Sequence, residues 1–225
     1  MLKFIFPGNC VLCGAACENS YDLCTKCIKD LPRHAHACER CGELLVANQK
    51  ICGSCLKNPP PFASTFALFH YQKPVDHLIT SLKFGHNLIY AKILGELLTQ
   101  FLQQKYFEKS KPEIIIPVPL HKNRLCERGF NQALEIARPI SKHLNIPINQ
   151  FYCERIKNTE AQSELSFNER GKNIKNAFAI TQSKKYKHIA IIDDVMTTGN
   201  TVTELSKILR ATGVEKIDIW CCART

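Results

Sequence analysis

A tandem cysteine repeat near the N-terminus limits what the first quarter of this 225-residue chain can fold into. Each copy has the pattern Cys-x2-Cys, ten residues, Cys-x2-Cys, and the second copy lies 28 residues after the first. Gly14 and Gly42 follow the first pair of their copies, where a tight turn around a metal ion favours glycine. The repeated cysteines are Cys10, Cys13, Cys24, Cys27, Cys38, Cys41, Cys52 and Cys55.

Four thiolates in each copy match a structural zinc site. Because the pattern repeats, we expect one Zn²⁺ ion on the first four cysteines and a second on the last four; interleaved pairing and a single ion remain open. A disulfide framework is the competing interpretation, since eight is an even number. Residues 1–7 offer too short an apolar stretch for a secretory signal, so reduced thiols and zinc are favoured.

The two ions are expected to hold the fold rather than to catalyse, because four thiolates leave no open coordination position. Each ion would contribute on the order of 10 kcal/mol to a module too small for a core of its own. The other cysteines lack this spacing and are expected to be small core residues or unreactive surface thiols. They are Cys17, Cys126, Cys153, Cys221 and Cys222.

A proline run, Asn58-Pro59-Pro60-Pro61, predicts the boundary between a zinc-binding module at 1–58 and an α/β domain at 59–225. The formal net charge is +10, and most of it lies in the larger part. A basic field suits phosphate-rich ligands, nucleic acid or an anionic membrane surface, and charge alone does not choose among them. We expect a cytoplasmic protein without a membrane span, with peripheral contact at the inner face of the membrane as a further expectation.

A strand, two carboxylates and a small-residue loop follow one another at residues 189–201. Ile189-Ala-Ile-Ile is a short apolar run that predicts a strand buried on both faces. Asp193 and Asp194 follow it, and adjacent carboxylates repel unless a cation or a hydroxyl-rich ligand meets them. Thr197, Thr198, Gly199, Asn200 and Thr201 come next, where a helix begins and unpaired N–H groups attract phosphate. The pattern predicts a ribose 5-phosphate site with Mg²⁺, and an ordinary strand-to-helix turn is the alternative.

Strands alternate with helices after the prolines, which predicts a mainly parallel sheet flanked by helices. Ligands bind beyond the carboxyl ends of such strands. The expected strands lie near 62–71, 113–118, 188–194 and 217–221, the expected helices near 73–84, 88–105, 131–144 and 202–212, and a basic irregular stretch covers about 153–175.

A basic turn beyond the strand at 113–118 is the third informative segment. Forked arginine donors match phosphate oxygens, so the segment is a candidate for contacts to pyrophosphate or a DNA backbone, and a solvated basic connection is the alternative. Lys83, Arg155 and Arg170 are candidates for the same contacts. The candidate residues of the turn are Val118, Pro119, Leu120, His121, Lys122, Arg124 and Arg128.

Together these motifs resemble the ComF family, and residues 189–201 resemble the 5-phosphoribosyl-1-pyrophosphate (PRPP) signature of type I phosphoribosyltransferases. The resemblance rests on the cysteine pairs, Leu82-Lys83-Phe84, Pro117-Val-Pro-Leu, Arg128-Gly-Phe-Asn-Gln and Ile192-Asp-Asp-Val-Met-Thr-Thr-Gly. It implies a double zinc ribbon joined to a type I phosphoribosyltransferase-like domain that serves competence and the use of imported DNA. It also implies that Asp193 and Asp194 bind the ribose 2′- and 3′-hydroxyls, that residues 197–201 bind the 5′-phosphate, and that the loop near 154–176 closes over PRPP.

Two function classes follow. In the first, the chain handles incoming single-stranded DNA and carries a Mg²⁺-PRPP-type site. In the alternative, it is an active phosphoribosyltransferase acting on a nucleobase or a nucleotide-related acceptor. The sequence identifies no catalytic residue, no acceptor and no partner protein of DNA uptake or recombination, and we expect no C-terminal hood for a nucleobase after the last strand. Aromatic residues could stack bases, although core positions are their commoner use: Phe62, Phe66, Phe69, Tyr71 and Phe84.

Overall fold

The fold is given by a computed structural model that describes residues 8–17, 22–46, 49–85, 87–158 and 174–225. Short elements surround the cysteines, and longer ones alternate after them. In chain order the elements are β1 (Gly8–Asn9), β2 (Ala16–Cys17), α1 (Thr25–Asp30), α2 (Gly53–Lys57), β3 (Ser64–His70), α3 (Val75–Phe84), α4 (Ile89–Lys105), β4 (Ile114–Pro117), α5 (Lys122–Arg128), α6 (Gln132–Leu144), β5 (Cys153–Arg155), β6 (Phe178–Ile180), β7 (His188–Met196), α7 (Asn200–Ala211) and β8 (Lys216–Arg224).

Four strands form a parallel sheet in the order β3-β8-β7-β4, which confirms the predicted parallel α/β architecture. The strands β4 and β7 are nearly continuous apolar runs because helices cover both faces of the sheet. One core lies between the sheet and helices α3, α4 and α6, and it contains Leu78, Leu97 and Ile136. The other core lies under α7, with Val202 and Leu205.

Two segments differ from the sequence prediction. The basic turn is a helix, α5, from Lys122, and Gly129 ends it in the left-handed region at φ 76°. The predicted irregular stretch begins instead with β5, which pairs antiparallel with β6. Neither segment has a periodic apolar pattern, which is why the sequence did not reveal them. Within the described ranges, no helix is long and apolar enough to cross a membrane.

The segment that joins the two cysteine repeats lies along the edge of the sheet. Arg33 forms an antiparallel bridge with Phe69 of β3. The His34 N–H donates to the Leu68 carbonyl at 3.0 Å, and the His70 N–H donates to the Pro32 carbonyl at 2.8 Å. Residues 32–34, which precede the second repeat, therefore cover the outer edge of β3, together with Glu39 of that repeat, whose carbonyl accepts the Thr65 N–H at 2.9 Å. Without them this edge would offer unpaired backbone groups.

Candidate functional site

The carboxyl end of β7 places the acidic pair beside the small-residue loop. Ile189 to Ile192 are fully buried, and the strand continues through Asp193 and Asp194 before the loop 197–201 leads into α7. Gly199 has φ 76°, a conformation that strains other residues, and the Asn200 N–H donates to Thr198 Oγ at 3.4 Å. A cavity of about 40 Å³ lies between Asp193 and this loop.

The two carboxylates have different surroundings, because successive side chains of a strand point to opposite faces. Asp194 is 3% exposed and forms an ion pair with Lys83, whose Nζ lies 2.7 Å from Asp194 Oδ2. Asp193 is partly exposed and lines the cavity. The pair therefore does not present two equivalent ligands to one space: Asp194 is held by α3, and Asp193 faces the loop.

The electrostatics of the pair follow from this arrangement. Burial opposes the ionisation of Asp194, but the Lys83 ammonium overcomes it and holds the pKa of Asp194 below its ordinary value. Burial raises the pKa of Asp193 well above its ordinary value, and the negative charge of Asp194 raises it further. A cation or a hydroxyl donor that reached Asp193 would favour its ionised form, so the site is suited to a hydroxyl-bearing ligand with a metal ion.

Arg128 of α5 and Arg155 of β5 interact electrostatically with the acidic pair. Burial lowers the pKa of Arg128, and Asp194 acts in the opposite direction. Burial lowers the pKa of Arg155 as well; Arg124 lowers it further and Asp193 opposes the shift. The guanidinium of Arg128 donates to Gln132 Oε1 at 2.6 Å and lies 5.8 Å from the ring centroid of Phe84. Phe84 is 68% exposed, so this aromatic residue is not a core residue.

Other predicted residues have structural contacts or lie apart. Val118 extends the pairing of β4, since its N–H donates to the Ile192 carbonyl at 2.9 Å, and Pro119 is buried after it. His121 caps α5, because its Nδ1 accepts the Asn123 N–H at 3.3 Å. Lys122 and Leu120 line a groove of about 640 Å³ beside Phe151. Arg170 lies outside the described residues.

The cysteines form two separate sets in the consecutive grouping: Cys10, Cys13, Cys24 and Cys27, and Cys38, Cys41, Cys52 and Cys55. The Sγ atoms of each set lie within 4.8 Å of one another, and Cys13–Cys24 and Cys41–Cys52 are 3.7 and 3.6 Å apart. A tetrahedral site with Zn–S bonds of ~2.3 Å has sulfur separations of ~3.8 Å. Both sets therefore fit zinc, and no disulfide joins cysteines among the described residues.

Backbone amides further adapt the cysteines to a metal. Burial opposes ionisation of Cys10, but N–H groups of the surrounding turn stabilise its thiolate and lower its pKa to about 6. The equivalent Cys38 has its pKa lowered to about 7 for the same reason. Of the remaining cysteines, Cys126 is exposed and Cys17, Cys153, Cys221 and Cys222 are buried, as expected.

Sequence reasoning missed Arg224, which lies behind the loop 197–201. Its guanidinium is buried, and Nη1 donates to the carbonyls of Met196 and Thr197. The only signal in the sequence is a cationic residue directly after the apolar run at 219–223, which is unusual for a buried position.

Comparison with known proteins gives two domain matches. The double zinc ribbon domain matches residues 1–56. The phosphoribosyl transferase domain matches residues 131–225. Together with the parallel sheet, these matches identify the larger part of the chain as phosphoribosyltransferase-like and the cysteine sets as two zinc-binding sites.

Full-length relatives are also similar. Competence protein F of Haemophilus influenzae is 37% identical over all of both chains. The DNA utilization protein YhgH of Salmonella typhimurium is 32% identical over 97% of this chain and 98% of its own. Among solved structures, the glutamine phosphoribosylpyrophosphate amidotransferase from B. subtilis covers 58% of this chain and 25% of that one, with 14% identity and a TM-score of 0.38.

Proposed function

This chain belongs to the ComF family, with competence protein F and the DNA utilization protein YhgH, and on that premise we propose that it handles incoming single-stranded DNA and binds a Mg²⁺-PRPP-type ligand. The observation that supports the ligand most is the cavity that Asp193 shares with the loop 197–201. A sugar hydroxyl and a phosphate of one ribose 5-phosphate would meet a carboxylate and a helix N-terminus there.

The chain's own residues have distinct roles in this proposal. Asp193 would take a ribose hydroxyl, and bound Mg²⁺ would supply charge neutralisation at the phosphates. The ion pair between Lys83 and Asp194 holds the second carboxylate charged beneath the sugar. Arg124 and Arg128 lie on the side from which an anionic pyrophosphate would approach.

The test of the ligand site is calorimetric binding of Mg²⁺-PRPP to the zinc-loaded protein. The double variant Asp193→Asn, Asp194→Asn is expected to lose measurable binding while keeping its fold. Glu108→Gln removes an exposed acidic charge from elsewhere on the surface and serves as the matched control. Binding that survives in the double variant would mean that the acidic pair does not form the site.

Binding of single-stranded DNA is supported by the exposed ring of Phe84 and the partly buried guanidinium of Arg128 beside it. An exposed ring next to a guanidinium offers a base a stacking surface and its phosphate a cation. The partly buried Arg155 interacts with Arg124 and Asp193, and both arginines add positive charge to this side of the site. A single strand would therefore lie across the mouth of the phosphoribosyl site.

Fluorescence anisotropy with a labelled oligonucleotide tests this surface. Phe84→Ala is expected to weaken binding about 5- to 150-fold, since stacking contributes ~1–3 kcal/mol per base. Arg128→Ala is expected to reduce the slope of log affinity against log salt by about one. Phe107, which is 86% exposed after α4, provides the control Phe107→Ala. If Phe84→Ala and Phe107→Ala lower the affinity for the oligonucleotide equally, stacking of a base on Phe84 is refuted.

An active phosphoribosyltransferase is the second candidate, and the groove of about 640 Å³ next to the turn at 119–122 favours it. That volume accommodates a nucleobase or nucleotide acceptor, and Phe151 provides an exposed ring at its side. Pyrophosphate release from Mg²⁺-PRPP, measured with a panel of bases and with single-stranded DNA, separates the two candidates. Release that depends on both the acidic pair and an added acceptor would establish transfer, since water alone can also release pyrophosphate by hydrolysis. Binding without release would leave a ligand-holding DNA protein.

A further inference from the structure

Arg224, the last residue of β8, makes bonds in two directions. On one side Nη1 donates to the carbonyls of Met196 and Thr197, the residues that lead into the loop 197–201. On the other side Nη2 lies 2.7 Å from Glu43 Oε2, and Nε donates to the Cys41 carbonyl at 3.4 Å. The Arg224 side chain is only 7% exposed, so its bonds to the loop carbonyls are buried, whereas the Glu43 side chain is 56% exposed and brings the ion pair to the surface.

The bonds to Met196 and Thr197 orient the loop. In a trans peptide the carbonyl and the following N–H point in opposite directions. Carbonyls that point at Arg224 therefore turn the amides of Thr197 and Thr198 away from it. Since Thr225 N–H also donates to Met196 at 3.2 Å, the entry of the loop is held from the β8 side.

The second cysteine set meets Arg224 through its first turn. Three successive carbonyls of that turn accept hydrogen bonds from residues outside it: Arg40 from Thr65 Oγ, Cys41 from Arg224, and Gly42 from the His34 ring. A Cβ added to Gly42 would lie 3.0 Å from Thr65 and 3.8 Å from Arg224, so the turn is packed directly on the sheet. The first cysteine set has no such contact with Arg224 among the described residues.

We propose that Arg224 is a positioning residue that couples zinc binding at Cys38, Cys41, Cys52 and Cys55 to the conformation of the loop 197–201. Zinc fixes the turn at 38–42, the turn fixes the guanidinium, and the guanidinium fixes the loop amides. Such coupling is reciprocal: a ligand that orders the loop also raises the zinc affinity of the second set, and not that of the first.

Amide hydrogen exchange of residues 197–201 in the full-length zinc-loaded protein tests the coupling without any ligand. Arg224→Met and Cys52→Ser are each expected to speed exchange about tenfold, the factor for losing one charge-assisted hydrogen bond. The double variant is expected to exchange no faster than either single variant, because both changes break the same chain of contacts. A purely structural contribution from each residue would instead give additive effects.

Cys24→Ser is the matched control, since Cys24 occupies in the first repeat the place of Cys52 in the second. It should remove one zinc ion and leave loop exchange unchanged. Slow exchange of amides 189–192 shows that each variant keeps its core. Arg224→Lys keeps the positive charge but lacks the several fixed donors of the guanidinium. It replaces Arg224→Met if the methionine variant does not fold. Unchanged loop exchange in Cys52→Ser, or additive exchange rates, would overturn the proposal.

A second arm uses ribose 5-phosphate with Mg²⁺ as the probe and rests on the proposed ligand site. Saturating probe is expected to raise the zinc affinity of one of the two sites about tenfold in the wild type, measured by equilibrium competition with a chelator, and of neither site in Arg224→Met. If the probe does not bind the wild type, the proposed ligand site fails, while the exchange experiment still decides the coupling. Probe binding with an equal change in zinc affinity in the wild type and Arg224→Met would count against the coupling alone.

Discussion

Replacing Lys83 by methionine should destabilise the protein in a manner that depends on pH. The substitution keeps most of the aliphatic volume and removes the cation that lies 2.7 Å from Asp194. Breaking a buried ion pair by removing one partner costs about 3–5 kcal/mol. Because a quarter of the Lys83 side chain remains exposed, we expect the low end of that range, about 3 kcal/mol at pH 7.

The pH dependence follows from the pKa of Asp194. In the wild type the pKa of Asp194 is lower in the folded state than in the unfolded state. Its contribution to the free energy of unfolding is therefore complete above the unfolded pKa of ~4 and is lost only as the pH falls through the folded pKa. Without Lys83 the main group that lowers the pKa of Asp194 is gone, and burial, the largest influence, is expected to raise the folded pKa above the unfolded one. The variant then regains stability as the pH falls from 7 to 5, while the wild-type contribution stays constant, and the difference between them shrinks.

Urea unfolding at both pH values, followed by the fluorescence of the single and fully buried Trp220, measures this difference. Adding Asp194→Asn to Lys83→Met should recover most of the loss, because no uncompensated charge remains. Lys142→Met on exposed surface of α6 is the control and should change stability by less than about 0.5 kcal/mol. A loss from Lys83→Met that is equally small, or that is the same at pH 7 and pH 5, would refute the reasoning.

Two further predictions concern the loop and the metal. Gly199→Ala and Gly213→Ala should each cost about 1 kcal/mol in unfolding free energy, since both glycines have positive φ. Only Gly199→Ala should also weaken the binding of Mg²⁺-ribose 5-phosphate, measured by calorimetry. The reason is that its added Cβ would lie 2.7 Å from Met196 Cε, whereas a Cβ at Gly213 would have nothing within 4 Å. Equal binding by both variants would contradict this. Atomic emission spectrometry should find two zinc ions per freshly purified chain and one in Cys24→Ser, and a value below one in the wild type would exclude the two-site arrangement.

Local patterns made much of the fold predictable. The repeat of the cysteines indicated which four belong together, because identical spacings produce identical folded units. The apolar run before Asp193 and the small residues after it predicted β7, the loop and α7, since each signal lies within a dozen residues. The helix α5 escaped prediction because its residues are mostly polar and its Leu125 is 43% exposed, so it presents no buried face.

The contacts that complete the candidate site are distant in sequence and were not predictable from one chain. Adjacent carboxylates suggested two equal ligands, but the alternation of the strand assigns Asp194 to Lys83 and Asp193 to the cavity. Arg224 reaches Glu43, 181 residues earlier, and no spacing rule connects them. Phe84 ends α3 with an exposed ring, although its sequence context is indistinguishable from that of a core phenylalanine.

The covering of the β3 edge depends on the folded second cysteine repeat, and this matters when zinc is scarce. Pro32 and His34 pair with β3 only while their chain stays folded against it. Loss of zinc from the second cysteine set would release this segment. The backbone N–H and C=O groups at the outer edge of β3 would then be exposed, while the sheet itself stays folded. Such an edge pairs with strands of other molecules, so zinc depletion is expected to promote self-association through β3.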